Sequence, residues 1–117
     1  MPHLPADSNL DHRIEWDEDA LTVRLRGQLV YETLVPLQAC WEAVRGQPRP
    51  TVFLDLSGVT FLASGPLGSL LALRRWLAER GHQLRVSALS SQVRDVLRLT
   101  GVAQIFSIDD AATATPA

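Results

Sequence analysis

Lysine is absent from this chain of 117 residues; all 11 basic residues are arginine. That absence excludes a P-loop nucleotide site, a Schiff base and a catalytic lysine, because each needs an ammonium group. Cysteine is almost absent too. Cys40 stands alone, so no internal disulfide forms, and a reducing, cytosolic compartment fits. Excess positive charge is missing: the formal net charge is −2, which argues against nucleic-acid binding. No run approaches the roughly 18 apolar residues of a membrane span, so no direct membrane insertion is expected. Met1 to Asp11 is polar, holds Pro2 and Pro5, and lacks the apolar core of a secretory signal. His3, His12 and His82 are scattered without ligand spacing, so neither a metal nor any other cofactor is expected. Leu62-Ala-Ser-Gly-Pro66 fails the Gly-x-Ser-x-Gly elbow of a hydrolase at both glycine positions, and no catalytic residue is assigned.

What remains is ordinary for one globular domain: 46% hydrophobic and 21% charged residues. Residues 1–11 read as a flexible N-terminal arm and 109–117 as a flexible C-terminal tail. Arg13 to Trp16 and Leu21 to Arg26 alternate in polarity around Asp17-Glu-Asp, the pattern of a β-hairpin, with Gly27 ending its second strand. Thr33 fits the N-cap of a helix reaching Arg45, whose Leu37, Cys40, Trp41 and Val44 share one face. Pro36 falls in its first turn, where proline is tolerated. Thr51 to Leu56 reads as a strand with Val52, Leu54 and Leu56 inward. A loop follows, then a helix over Pro66 to Arg80 with Leu67, Leu70, Leu71, Leu73, Trp76 and Leu77 inward and Gly81 as its stop. Gln83 to Leu89 is a further strand. Ser90 or Ser91 caps a third helix with Val93, Val96, Leu97 and Leu99 inward, and Val102 to Ile108 supplies a last strand or turn. Strands alternating with helices predict an α/β fold: a mixed, mostly parallel sheet, an N-terminal antiparallel hairpin at its edge, and helices mainly on one face.

The richest segment is Val52 to Leu70, a strand, a loop and a helix start carrying Ser64, Gly65 and Pro66. A helix start presents unpaired N–H groups and the positive end of a dipole. Ser64 can serve there as a phosphoacceptor or as an N-cap bonded to the backbone. Pro66 suits a first helical position, and Gly65 permits a tight turn before it. Asp55 sits where a receiver domain carries its phospho-accepting aspartate, but that site also wants a lysine; a structural role bonding loop amides is the better reading. Arg74, Arg75 and Arg80 read as a solvated helix face or as docking residues for an acidic partner, and Trp16 as packing or a partner contact.

Several stretches resemble the STAS domain (sulfate transporter and anti-sigma factor antagonist). Gly27-Gln-Leu is similar to its Gly-Glu-Leu segment. Phe53-Leu-Asp-Leu-Ser-Gly-Val-Thr-Phe-Leu62 resembles its central strand and turn, Leu67-Gly-Ser-Leu70 its helix start, and Arg94 to Phe106 its last helix and closing strand. The resemblance spans residues 12–108, taken as the STAS domain. It departs at the phosphorylation motif. Where antagonists of this family read Asp-Ser-Ser-Gly or Asp-Ser-Thr-Gly, this chain reads Ala63, Ser64, Gly65 and Pro66. Glycine stands at the phosphoacceptor position, and a second family acid corresponds to Val30.

The resemblance implies a cytoplasmic, non-enzymatic module that binds another protein, and the departures imply that the usual phosphorylation switch is absent or rewired. The implied partner is an anti-sigma factor with a histidine-kinase-like ATPase fold. The implied contact surface is Gly27, Val30, Thr33, Gly58, Thr60, Ser64, Gly65, Pro66 and Leu67, within the loops Gly27–Thr33 and Gly58–Phe61 and the helix start. Two alternatives stand beside it: a STAS subunit bound to the ATPase of an ABC-type lipid transporter, and a ligand-sensing module.

Overall fold

In a computed structural model, which describes residues 10–108, the alternating segments become strands of one sheet. Of the arm expected over residues 1–11, residues 1–9, with His3, lie outside the described residues, as does the tail at 109–117; Leu10 and Asp11 are instead paired in the first strand. Strand β1 is Leu10–Trp16 and β2 is Ala20–Leu29. They pair antiparallel from Leu10↔Gly27 to Trp16↔Leu21 without a register break. A 3-10 turn over Tyr31–Thr33 leads into helix α1, Leu34–Gly46. Strand β3 is Thr51–Leu62, helix α2 Ser64–Ala78, strand β4 Gln83–Leu89, helix α3 Ser91–Leu99 and strand β5 Ser107–Ile108. The sheet order is β1-β2-β3-β4-β5, and β2 to β5 run parallel.

Order and handedness place the helices. Each crossover moves one strand in the same direction across the sheet. Right-handed crossovers therefore put all three helices on one face. On that face Leu21, Val23 and Leu25 of β2, Val52, Leu54 and Leu56 of β3, and Leu84 and Val86 of β4 are buried. Leu37, Cys40, Trp41 and Val44 of α1 meet them with at most 1% exposure, as their 3.6-residue spacing requires. Burying such side chains stabilises the fold by about 1.5–3 kcal/mol each before entropy is counted. The opposite sheet face carries Arg13, Glu15, Arg24 and Asp55, where Arg24 bridges Glu15 and lies 3.6 Å from Asp55.

Several expectations shift at their ends. β1 starts at Leu10, and β2 passes through Gly27 to Leu29. Gly27 sustains this with φ 114°, a conformation that side-chain-bearing residues rarely adopt. β3 continues to Leu62 where a loop was expected. It does so by bulging: its pairing with β2 slips between Arg24 and Arg26 and again between Gly27 and Gln28, leaving Thr60 as an extra residue. Leu99 was expected inward but is 82% exposed. It lies two positions beyond Leu97, about 200° around the helix from a buried residue. Trp76 is half-buried, with the Arg80 guanidinium 3.9 Å from its ring centroid. Leu71 likewise packs at the margin of the core.

Candidate functional site

The carboxyl ends of β2 and β3 and the start of α2 converge at one end of the sheet. Their junction is set by backbone bonds. Ala63 N–H donates to Leu29 O at 2.8 Å, locking the two strand ends together. Ala63 is then the N-cap of α2, with extended φ −90° and ψ 169°, and Leu67 N–H makes the first helical bond to its carbonyl at 3.0 Å. Ser64, Gly65 and Pro66 therefore occupy the first three helical positions. Ser64 is one residue inside the helix rather than its cap, and no side-chain cap bond exists. Pro66 sits third rather than first, and its missing N–H leaves only Ser64 and Gly65 to offer free donors.

Burial divides the expected site residues. Thr60, Ser64 and Gly65 are exposed, and Gly27, Val30 and Gly58 are half-buried. Pro66 and Leu67 are buried, and Thr33 has 0% exposure. Those three support the surface from beneath. Thr33 Oγ1 accepts from Val30 N–H at 2.9 Å and donates to Gln28 O at 2.8 Å, so one buried hydroxyl closes the bend after β2. Thr33 precedes α1 as expected, yet its hydroxyl serves the preceding turn and not the helix. Thr60 Oγ1 lies 3.4 Å from Gly27 O, across the bulge. Gly58 makes room for a neighbour, since a Cβ there would meet Arg26 Cγ at 2.8 Å. A Cβ at Gly65 would meet only Leu34 Cδ1, at 3.7 Å. Gly65 is thus not demanded by packing.

The α2 start is also tied to α1, and β3 is tied to the cap of α3. Trp41 Nε1 donates to Ser69 Oγ at 3.1 Å, and Ser69 Oγ donates to Pro66 O at 2.8 Å. Ser90 Oγ accepts from Val93 N–H at 3.2 Å as the α3 cap, and donates to Val59 O at 2.5 Å. Asp55 is structural: its Oδ1 accepts from Ser57 N–H at 2.9 Å and Ser57 Oγ at 2.7 Å. Arg75 pairs with Glu79, and Arg80 stacks on Trp76, so these two exposed arginines are locally paired, while Arg74 is half-buried. Trp16, 42% exposed, donates its Nε1 to Gln47 O at 3.2 Å.

Three large apolar residues just after β2 and at the end of β3 are exposed. Tyr31 is 80% exposed, Val35 81% and Phe61 52%. Tyr31 and Val35 flank the 3-10 turn and the first turn of α1, whose Leu34 reaches Gly65. Phe61 pairs with Gln28 beside Thr60. Val35 and Tyr31 were not singled out by the sequence reading. The signal for Val35 was present: it falls off the stripe of Leu37, Cys40, Trp41 and Val44. Among the described residues no three His, Cys, Asp or Glu side chains cluster as metal ligands, and no helix is long and apolar enough to cross a membrane.

A hairpin feeding a parallel sheet, three helices on one face and a helix start framed by two strand-end loops define a STAS-type α/β domain. The family described as "Mlab, STAS domain" matches residues 12–108, and the chain belongs to it. The chain is similar to a STAS-domain containing protein of Pseudomonas aeruginosa, 30% identical over 92 residues that cover 79% of this chain and 90% of that one. It is similar to the anti-sigma F factor antagonist of Paenibacillus polymyxa, 28% identical over 104 residues, 87% of this chain and 88% of the relative. Among solved structures, an anti-sigma factor antagonist from Mycobacterium paratuberculosis superposes with a TM-score of 0.79 at 26% identity, covering 92% and 91% of the two chains.

Proposed function

We propose that this chain is a non-catalytic, cytoplasmic protein-binding regulator of the anti-sigma factor antagonist type, not switched by phosphorylation at Gly65. The observation that carries the proposal is the exposure of three large apolar residues, Tyr31 and Val35 just after β2 and Phe61 at the end of β3. Apolar side chains of this size, left exposed, gain most from a protein partner that covers them. The partner is an anti-sigma factor with a histidine-kinase-like ATPase fold, and any ATP use belongs to it. Gly27, Val30, Gly58, Thr60, Ser64 and Gly65 complete the contact surface, with Thr33, Pro66 and Leu67 holding its shape.

The regulatory part of the proposal rests on chemistry at three positions. Gly65 has no hydroxyl to accept phosphate. Ala63 and Val30 supply no carboxylate to orient a nucleophile or a metal ion. Ser64 is the one side-chain hydroxyl in the first turn of α2, exposed and without a cap bond.

Affinity capture of the tagged full chain from its native lysate, wild type beside Phe61→Asp, tests the reading. A histidine-kinase-like ATPase captured by the wild type and lost with Phe61→Asp supports it. A transporter ATPase captured instead would move the chain to the ABC-type reading. No captured protein, with a small molecule retained in native mass spectrometry, would move it to the ligand-sensing reading.

A further inference from the structure

Strand β1 forms one edge of the sheet, and among the described residues nothing pairs with its outer side. Asp17 N–H donates to Ala20 O at 2.7 Å, and the β1–β2 register is unbroken back to Leu10. Alternation along an antiparallel pair then turns the backbone groups of Asp11, Arg13 and Glu15 toward β2. Those of Leu10, His12, Ile14 and Trp16 point outward, a row of open donors and acceptors.

The side chains along this edge are not neutral to the choice of neighbour. Leu10 and Ile14 share the helix-covered face and pack at the margin of the core. Asp11 and Arg13 stand exposed on the other face, and neither forms an ion pair among the described residues, whereas Glu15 is held by Arg24. Arg13 also lies directly opposite Arg24, a like-charge cross-strand pair that is unfavourable in itself. An added carboxylate beside Arg13 relieves it.

Among twofold antiparallel self-pairings that keep the outward backbone groups in bonded pairs, three overlap at least five residues of β1. Centring on Arg13 sets Arg13 against Arg13 and Asp11 against Glu15. Centring on Ile14 sets Asp11 against Asp17 and asks Glu15 to leave Arg24. Centring on His12 sets Asp11 against Arg13 twice, Leu10 against Ile14 twice and His12 against itself, with no pair of like formal charges between Leu10 and Ile14 while His12 is neutral. We propose that two copies of this chain join through their β1 edges in this last register, extending the sheet across the dimer. The proposal does not depend on the partner-binding reading above.

The charge pattern gives a register-specific test on the full chain, by sedimentation velocity over a wide concentration range reaching the millimolar. The wild type is expected to dimerise with rising concentration. Asp11→Arg and Arg13→Asp, both at exposed positions, are each expected to weaken the dimer by about tenfold or more through like-charge contact. Mixed together they are expected to restore it, because one chain then carries two cations on its edge and the other two anions. Circular dichroism confirms that each variant is folded. A wild type that stays monomeric throughout, a dimer indifferent to both substitutions, or a mixture that fails to restore pairing would overturn the proposal.

Discussion

Two glycines at the site separate packing from chemistry. Gly58 is held by sterics, because a Cβ would press on Arg26 Cγ at 2.8 Å and Cβ at 3.3 Å. Gly58→Ala is expected to lower stability by about 1–3 kcal/mol, measured by urea unfolding. Gly65 is free of such constraint, with 3.7 Å to the nearest atom. Gly65→Ser is expected to hold or slightly raise the melting temperature, since serine is roughly half a kcal/mol better than glycine in a helix. Cys40 marks the core in the same way. Burial pushes its thiol from 9.0 up to about 11, because an ionised thiolate is poorly solvated there. The raised value means the neutral thiol is favoured in the fold. Its contribution is complete below the unfolded value and is lost as pH rises from about 9 to about 11. Cys40 in the native chain is expected to resist a thiol reagent at neutral pH and to react on unfolding, read by the rate of colour release from an aromatic disulfide.

At the scale of elements, buried hydroxyls and one indole hold the strand ends and the α2 start. Thr33→Val keeps the shape of the side chain but leaves Val30 N–H without its acceptor. The expected loss is about 1–3 kcal/mol of stability, with faster amide exchange in Val30–Thr33. Trp41→Phe keeps most of the apolar bulk and removes the bond to Ser69. Amide exchange in the first turn of α2 is expected to quicken, while the strands keep their protection. The core was legible in the sequence because period reports which face is inward: Leu37, Cys40, Trp41 and Val44, or Val52, Leu54 and Leu56, needed nothing more. The extension of β2 and β3 was not, because bulges at Arg24/Arg26 and Gly27/Gln28 arise from pairing between distant segments. Local pattern read Ser57 to Phe61 as a loop for the same reason. At the site, the absent hydroxyl of Gly65 was readable from the motif alone. The exposure of Val35 was readable too, since it falls off the α1 stripe, but the burial of Thr33 and the exposure of Tyr31 follow from how α1 docks after the 3-10 turn, which spacing within one helix does not encode.

For the whole molecule, fold and site chemistry point in different directions, and the difference is informative. The sheet, the crossovers and the α2 start are those of the STAS family. The proposal assigns Gly65, Ala63 and Val30 to the positions that would carry a phosphate and its supporting acids. The proposed binding surface works without that switch. Its most direct test is intact-mass and site-resolved mass spectrometry of the native chain, isolated under phosphatase inhibition, in its partner-bound and free fractions. An unphosphorylated chain is expected in both fractions, with Ser64 unmodified. Phosphate on Ser64 confined to the free fraction would contradict it, and would mean that the switch has moved one residue along the helix start.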